Sequence, residues 1–227
     1  MDNATPADVL GELLGARYSC RGFRPEPVPD ETIRRILAMA QRTASWCNSQ
    51  PWQTIVTRGA GTERFRETMT AAAQSGDSAP DFPHPREYRG VYLQRRRTCG
   101  FQLYEAVGVA RGDREASRRQ SLENFRFFGA PHVAIITTDE ALGVYGAVDC
   151  GGYISNFLLA ARSLGVATIP QAALASYAPQ IRAHFGLGED RLVVAGISFG
   201  FEDVDHPANA FRTERADVDE AATFVDA

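Results

Sequence analysis

VYGAVDCGGYISNFLLAARSLG, residues 144–165, is the stretch on which the reading of the fold turns. Cys150, Ile154, Phe157, Leu158, Ala161 and Leu164 recur at helical spacing, so a long helix with one apolar face is predicted. Gly165 stands where that helix closes. Gly151 and Gly152 interrupt its middle, and each costs roughly 1 kcal/mol against Ala. The compensating gain expected there is the close approach of another element. On either side lie apolar, β-branched runs that read as strands: APHVAIITTD at 130–139 and DRLVVAGISFG at 190–200, with WQTIVTRG at 52–59 as a third.

The remaining segments read mostly as helices. TPADVLGELLGA, 5–16, has Thr5 as its cap and Pro6 at its first position. VPDETIRRILAMAQRT, 28–43, is expected to be capped by Asp30 and to present Ile33, Ile36, Leu37 and Ala40 on one face. GTERFRETMTAAAQ (61–74), residues 91–111, residues 113–127 and APQIRAHFG (178–186) are helical by period. Residues 75–90, rich in Pro, Gly and acids, read as a long surface loop. No repeat or linker divides the chain. Irregular alternation of many helices with few strands predicts a helix-rich α+β fold in a single domain, 1–227, with an aperiodic tail from about 201.

Composition narrows the function. The chain is 44% hydrophobic and 23% charged, with a formal net charge of -4, which implies no general attraction to nucleic acid. All 24 basic side chains are Arg. That excludes a Lys Schiff base and a Lys-containing phosphate loop, and it makes any phosphate site an Arg site. Cys20, Cys47, Cys99 and Cys150 are dispersed, with no C-x-x-C, and the four His (His84, His132, His184, His206) form no pair at helical spacing. Neither a metal site nor a disulfide framework is expected. The N-terminal residues do not read as a signal peptide and no apolar run is long enough for a bilayer, so the cytoplasm is the expected location.

Four short motifs carry chemistry. RYSCRGF, 17–23, alternates Arg17, Ser19 and Arg21, which an extended segment places on one side as a phosphate grip; a solvated charged loop is the commoner reading of such a run. ASWCNSQPW, 44–52, packs a thiol, amides and two indoles into nine residues. AGISFG, 195–200, matches the G-x-S-x-G spacing of a hydrolase nucleophile elbow, but no helix follows it, and Ser198 reads as an ordinary strand-end residue. HPANAFRTERA, 206–216, adds Arg212 and Arg215 in what reads alone as a charged tail.

Taken together and in order, RYSCRGF, SWCNSQPW, GGYISNFLLAARSLGVATIPQAAL (151–174) and DRLVVAGISFGFEDVDHPANAFRTERA (190–216) resemble the flavin-dependent nitroreductase family, closest to its nitrobenzoate-reducing branch. The resemblance covers nearly the whole chain. It implies a central mixed β-sheet surrounded by helices, in an intertwined homodimer whose C-terminal tail wraps the partner. It also implies FMN between the subunits, NAD(P)H as co-substrate, and ping-pong reduction of nitroaromatic or quinone-type acceptors, with no nucleic acid or membrane partner. By this resemblance Arg17, Ser19, Arg21 and Arg212 hold the FMN phosphate and ribityl chain. Ser45, Trp46 and Asn48 reach the flavin of the other subunit, and Pro170, Gln171 and Ala172 form the loop behind the ring. Pro51 and Trp52 read as structural, and Gln50 as either. No catalytic side chain is named, since hydride transfer to a flavin requires none. Phe82, Tyr88, Tyr92, Phe125, Phe127 and Phe128 are candidates for stacking on the acceptor, with core packing as the ordinary role; Arg95 to Arg97 read as a solvated helix face or as contacts to the extra phosphate of NADPH. Dehalogenation, flavin fragmentation, azoline oxidation and non-catalytic flavin binding remain alternatives on the same fold.

The dispersed cysteines generate one expectation. Unfolded protein titrated without reductant yields four thiols; two would contradict the reading.

Overall fold

The structure, a computed structural model, describes residues 4–225; the first three and last two residues of the 1–227 span lie outside the described residues. A four-stranded sheet is built from β1 (Gln53–Val56), β2 (His132–Asp139), β3 (Ala167–Gln171) and β4 (Arg191–Gly200), in the order β1-β2-β4-β3. These strands pair antiparallel throughout. The parallel component is a single bridge between Ser19 and Thr168, beside which the Cys20 N–H donates to the Thr168 carbonyl at 3.0 Å.

β2 explains the layering. Every residue from His132 to Thr138 is buried, so the strand is covered on both faces. Val133 and Ile135 point into one core with Phe65, Met69, Phe127, Leu174 and Ile181. Ala134 and Ile136 point into the other, with Ile36, Cys150, Tyr153 and Phe157. Helices α2 (Asp30–Ala40) and α6 (Gly143–Ser163) cover the second face. Helices α3 (Ala60–Ser75) and α7 (Ala178–Phe185) cover the first. The face predicted for α6 is the one that packs: Cys150, Phe157, Leu158 and Ala161 are buried. Gly165 turns the chain at φ +73° into β3.

Several expectations need correction. Asp30 does not cap α2; it is the first helical residue, Pro29 precedes it, and its carboxylate pairs with Arg58. The segment read as a loop at 170–172 begins as strand: Pro170 and Gln171 end β3. Of the adjacent pair Gly151 and Gly152 in α6, Gly152 meets a neighbour, Thr43, at 3.3 Å from a built Cβ, whereas Gly151 meets nothing within 4 Å. Helix α1 (Pro6–Ala16) forms with the expected Thr5 cap but buries none of its residues.

Residues 76–89 contain neither helix nor strand, yet they are pinned at their centre. Both oxygens of Asp81 accept from Arg182 Nη1, at 2.8 and 2.6 Å, and Oδ2 also accepts from the Val193 N–H at 2.7 Å. Both side chains are only 9% exposed. Removing one partner of a buried pair strands the other charge, which costs about 3–5 kcal/mol. Asp81→Ala is therefore expected to lose about that much stability in urea unfolding; a loss below about 1 kcal/mol, the range of ordinary surface changes, would show that the pair does not anchor the segment.

Candidate functional site

Arg17 follows the last turn of α1 with extended backbone, its N–H donating to Leu13 at 3.0 Å. From there the chain runs extended along the β3 edge, and Arg17, Ser19 and Arg21 face one cavity of about 440 Å³. Arg212 and Arg215, from the other end of the chain, line the same cavity. No carboxylate is among its lining residues. Burial, and then the charge of Arg215, hold the Arg17 pKa below its ordinary value; burial lowers that of Arg21. Four guanidiniums without an acid repel one another, and a dianion such as phosphate is the partner that donor set fits.

The tail is fixed to this segment by side chains. Asn209 is buried; its Oδ1 accepts from the Arg21 N–H at 2.7 Å, and its Nδ2 donates to the carbonyls of Gly22 at 2.9 Å and Asp203 at 2.8 Å. His206 packs against Gly22 so closely that a Cβ there would lie 2.2 Å from the imidazole. The Arg212 guanidinium lies 3.5 Å from the centroid of Tyr18, whose hydroxyl donates to Glu202. Burial, followed by that hydrogen bond, pushes the Tyr18 pKa up and keeps the phenol neutral.

Arg21 also lines a second cavity of about 240 Å³, together with Pro170, Gln171, Ala172, Tyr104, Asn124 and Phe128. Ala172 is exposed there. The side chain of Gln171 is not available to a ligand: the residue is 3% exposed and its amide bonds to Ser198 and Asn124. Ser198 is thus more than a strand-end residue; it is fully buried inside β4 and donates to Gln171. Phe127 belongs to the core, stacked on Phe65 at 5.2 Å, whereas Phe128 reaches the cavity lining. Arg95 pairs with Glu220 at 3.0 Å on the exposed face of α4 (Gly90–Ala106).

The 45–52 motif lies apart. Ser45, Trp46 and Asn48 line neither cavity. A 3-10 turn at Trp46–Asn48 sits beside the N-terminal half of α6, where the Trp46 N–H donates to Asp149 at 3.0 Å and its ring meets Tyr145 edge-on at 4.5 Å. Trp46 is 59% exposed. Cys47, Asn48 and Gln50 all take positive φ, 49°, 57° and 48°, which is strained for residues with side chains. Gln50 holds the turn: its N–H donates to Ser45 Oγ and its amide accepts from Gln41, both at 2.9 Å. Gln41 in turn accepts from the Trp52 indole at 3.0 Å. By these contacts Gln50 and Trp52 both help to hold the turn.

The family model described as the nitroreductase family matches residues 14–201. The chain belongs to the nitroreductase family. The nitroreductase NfnB of Mycolicibacterium smegmatis is 36% identical over 96% of this chain and 93% of its own. A 4-nitrobenzoate reductase of Nocardioides is 31% identical over 99% and 98%. The crystal structure of the FMN-dependent NfnB from Mycobacterium smegmatis in complex with NADPH superposes with a TM-score of 0.93 at 35% identity, covering 98% of this chain and all of that one. Within this nitroreductase the structure brings Arg17, Ser19, Arg21 and Arg212 together, joins them through Arg21 to Pro170–Ala172, and leaves Ser45, Trp46 and Asn48 outside both cavities. Arg215 and Asn209 are additions: Arg215 was visible only as tail charge, and nothing in the sequence marks Asn209.

Proposed function

We propose that this nitroreductase binds FMN and uses NAD(P)H to reduce nitroaromatic or quinone-type acceptors by ping-pong turnover. The observation that carries the proposal is the cluster of Arg17, Arg21, Arg212 and Arg215 around a cavity without a carboxylate, continued by Arg21 into the cavity at Pro170–Ala172. FMN, when bound, would supply the redox chemistry that links oxidation of the nicotinamide to reduction of the acceptor. The four Arg with Ser19 bind and orient its phosphate and ribityl chain. Pro170 and Ala172 form the wall behind the ring, where Ala172 offers backbone and a methyl in place of an acidic side chain. No acid or base of the chain is assigned to the hydride step. The span 1–227 is read as one domain, in the cytoplasm.

Assembly belongs to the same proposal. Val144, Tyr145 and Val148 on α6, Val9, Leu10 and Leu14 on α1, and Trp46 are all at least 46% exposed. The tail adds Val204, Val218, Phe224 and Val225, each at least 68% exposed. So much uncovered apolar surface, with the open Gly151 on the same helix α6, suits a second copy of the chain. In the proposed homodimer the tail past 201 wraps the partner, and Ser45, Trp46 and Asn48 complete the partner's flavin site.

Purified protein is expected to be yellow, to bleach under NAD(P)H without air, and to recover colour on adding a nitroarene. A protein that takes up no FMN on reconstitution would refute the reading; one that bleaches but never recovers with nitroarenes or quinones would refute the acceptor class. Each charge-assisted hydrogen bond contributes about 1.5–3 kcal/mol, so Arg212→Ala or Arg17→Ala should weaken FMN at least about tenfold. Full retention of FMN by either variant on gel filtration would remove that residue from the site. Sedimentation at micromolar concentration should give a dimer; a stable monomer holding one FMN would show that Ser45, Trp46 and Asn48 serve no partner.

A further inference from the structure

The sequence G-x-S-x-G at 196–200 has no role in a hydrolase here, yet each of its positions is constrained. A Cβ on Gly196 would lie 2.4 Å from Leu174 Cδ1, in the turn that follows β3. A Cβ on Gly200 would lie 2.6 Å from Pro131 Cδ. Ser198, between them, is fully buried and donates its hydroxyl to Gln171 Oε1. Register places Gly196 opposite Gln171 and Ser198 opposite Ile169, so Ser198 and Gln171 are diagonal neighbours on one face of the sheet. The other end of the Gln171 amide meets Asn124. Its Nε2 donates to the Asn124 carbonyl at 2.8 Å and contacts Asn124 Oδ1 at 3.3 Å.

Asn124 stands in the turn after α5 (Arg114–Leu122), and it lines the same cavity as Pro170, Gln171 and Ala172. One buried amide therefore ties the end of β3 to the turn after α5, two elements that line this cavity, and is itself bonded to a hydroxyl from the central sheet. The Asn124 side fixes its orientation: turning it over would set its oxygen against the Asn124 acceptors and strip the buried carbonyl of its donor, although the Ser198 hydroxyl could rotate to accept. We infer that Ser198, Gln171 and Asn124 are positioning residues that fix the spacing of the ring cavity, and with it the placement of Pro170 and Ala172 against the flavin. This inference rests on the FMN reading of that cavity. Its physical basis is that reacting groups are held by a supporting layer of hydrogen bonds, and a misplacement of about 1 Å costs on the order of a hundredfold in rate.

The test uses the FMN-loaded protein and three variants. Ser198→Ala removes the donor, and Gln171→Met removes the amide at nearly constant volume. Val193→Ala opens the same strand in the fully buried core away from the cavity lining, and serves as the control for lost stability alone. Four readings are taken: the visible circular dichroism of bound flavin, the FMN dissociation constant by fluorescence titration, the steady-state constants for NAD(P)H (kcat and KM together), and the urea midpoint. Ser198→Ala and Gln171→Met are expected to change the flavin dichroism and to lower kcat about tenfold or more with KM little changed, the pattern of lost transition-state geometry. Val193→Ala is expected to lower the urea midpoint while leaving dichroism and kcat at wild-type values. If the two network variants match Val193→Ala in all four readings, the network is merely structural and the inference falls. Should Gln171→Met fail to fold, Ser198→Ala decides alone, and wild-type dichroism and kcat in it overturn the inference. Wild-type protein that binds no FMN overturns the cofactor reading along with it, so the two failures are separable.

Discussion

Four guanidiniums converge where no carboxylate offsets them, and much of the architecture serves to hold them there. Charges gathered in a partly desolvated pocket oppose folding: burial lowers the pKa of both Arg17 and Arg21, and for Arg17 the charge of Arg215 adds to it. Something other than ion pairing must keep them in place. For Arg21 it is the backbone: its N–H is held by Asn209, and the strand-like segment is bridged to Thr168. For Arg212 it is the face of Tyr18, together with donation to the carbonyls of Asn209 and Phe211 at 2.7 and 2.9 Å. These are neutral partners, and they position positive charge without cancelling it. An Asp in place of Asn209 would point a carboxylate at the same amide and also weaken the field the site offers to an anion.

The sheet supplies the rigidity on which this depends. β2 and β4 are buried along nearly their whole length between two helical layers, so the inner pair cannot shift without disturbing both cores. β3 is the edge strand beside β4. It carries the Arg17–Arg21 segment on its outer side and ends at the cavity lined by Pro170, Gln171 and Ala172. Under the proposed function the phosphate end and the ring end of the site are two ends of one short strand, the second of them bonded to Ser198 of β4 through Gln171. Precision at the site is inherited from the best-packed part of the molecule.

What was legible in the sequence follows the range of the interactions. Helix α6 and strands β2 and β4 were plain because periodicity and β-branched runs are local signals. β3 was missed because 170–172 was read as a loop through the family resemblance; its proline is compatible with a strand at the sheet edge, where Pro170 lacks only an N–H that the edge need not use. The alternation of Arg17, Ser19 and Arg21 gave their common side, but nothing local placed Arg212 beside them; that came from resemblance to a family. Asn209, the Asp81–Arg182 pair and the Ser198–Gln171–Asn124 chain were invisible, because each joins residues far apart and of types that are usually solvated. The surface loop expected at 75–90 shows the same limit: its composition was read correctly, its buried anchor could not be.

Strain at 47–50 points in the same direction as the uncovered apolar surface. Three non-glycine residues with positive φ within four positions cost of the order of 1–3 kcal/mol each where nothing offsets them. The turn is held by Ser45, Gln41 and Asp149, which are enough to define it but give no reason for it within one chain. Its effect is to present Trp46 outward beside Tyr145, on the half of α6 whose Val144 and Val148 are also uncovered. A fold that stores strain to expose an indole on an apolar face gains only when another surface covers it. Under the dimer proposal that surface is the partner subunit, and the cost of the turn is offset by the same contact that completes the flavin site. Cofactor binding, dimer formation and the unusual backbone at 47–50 then become one coupled equilibrium in which none is stable for its own sake.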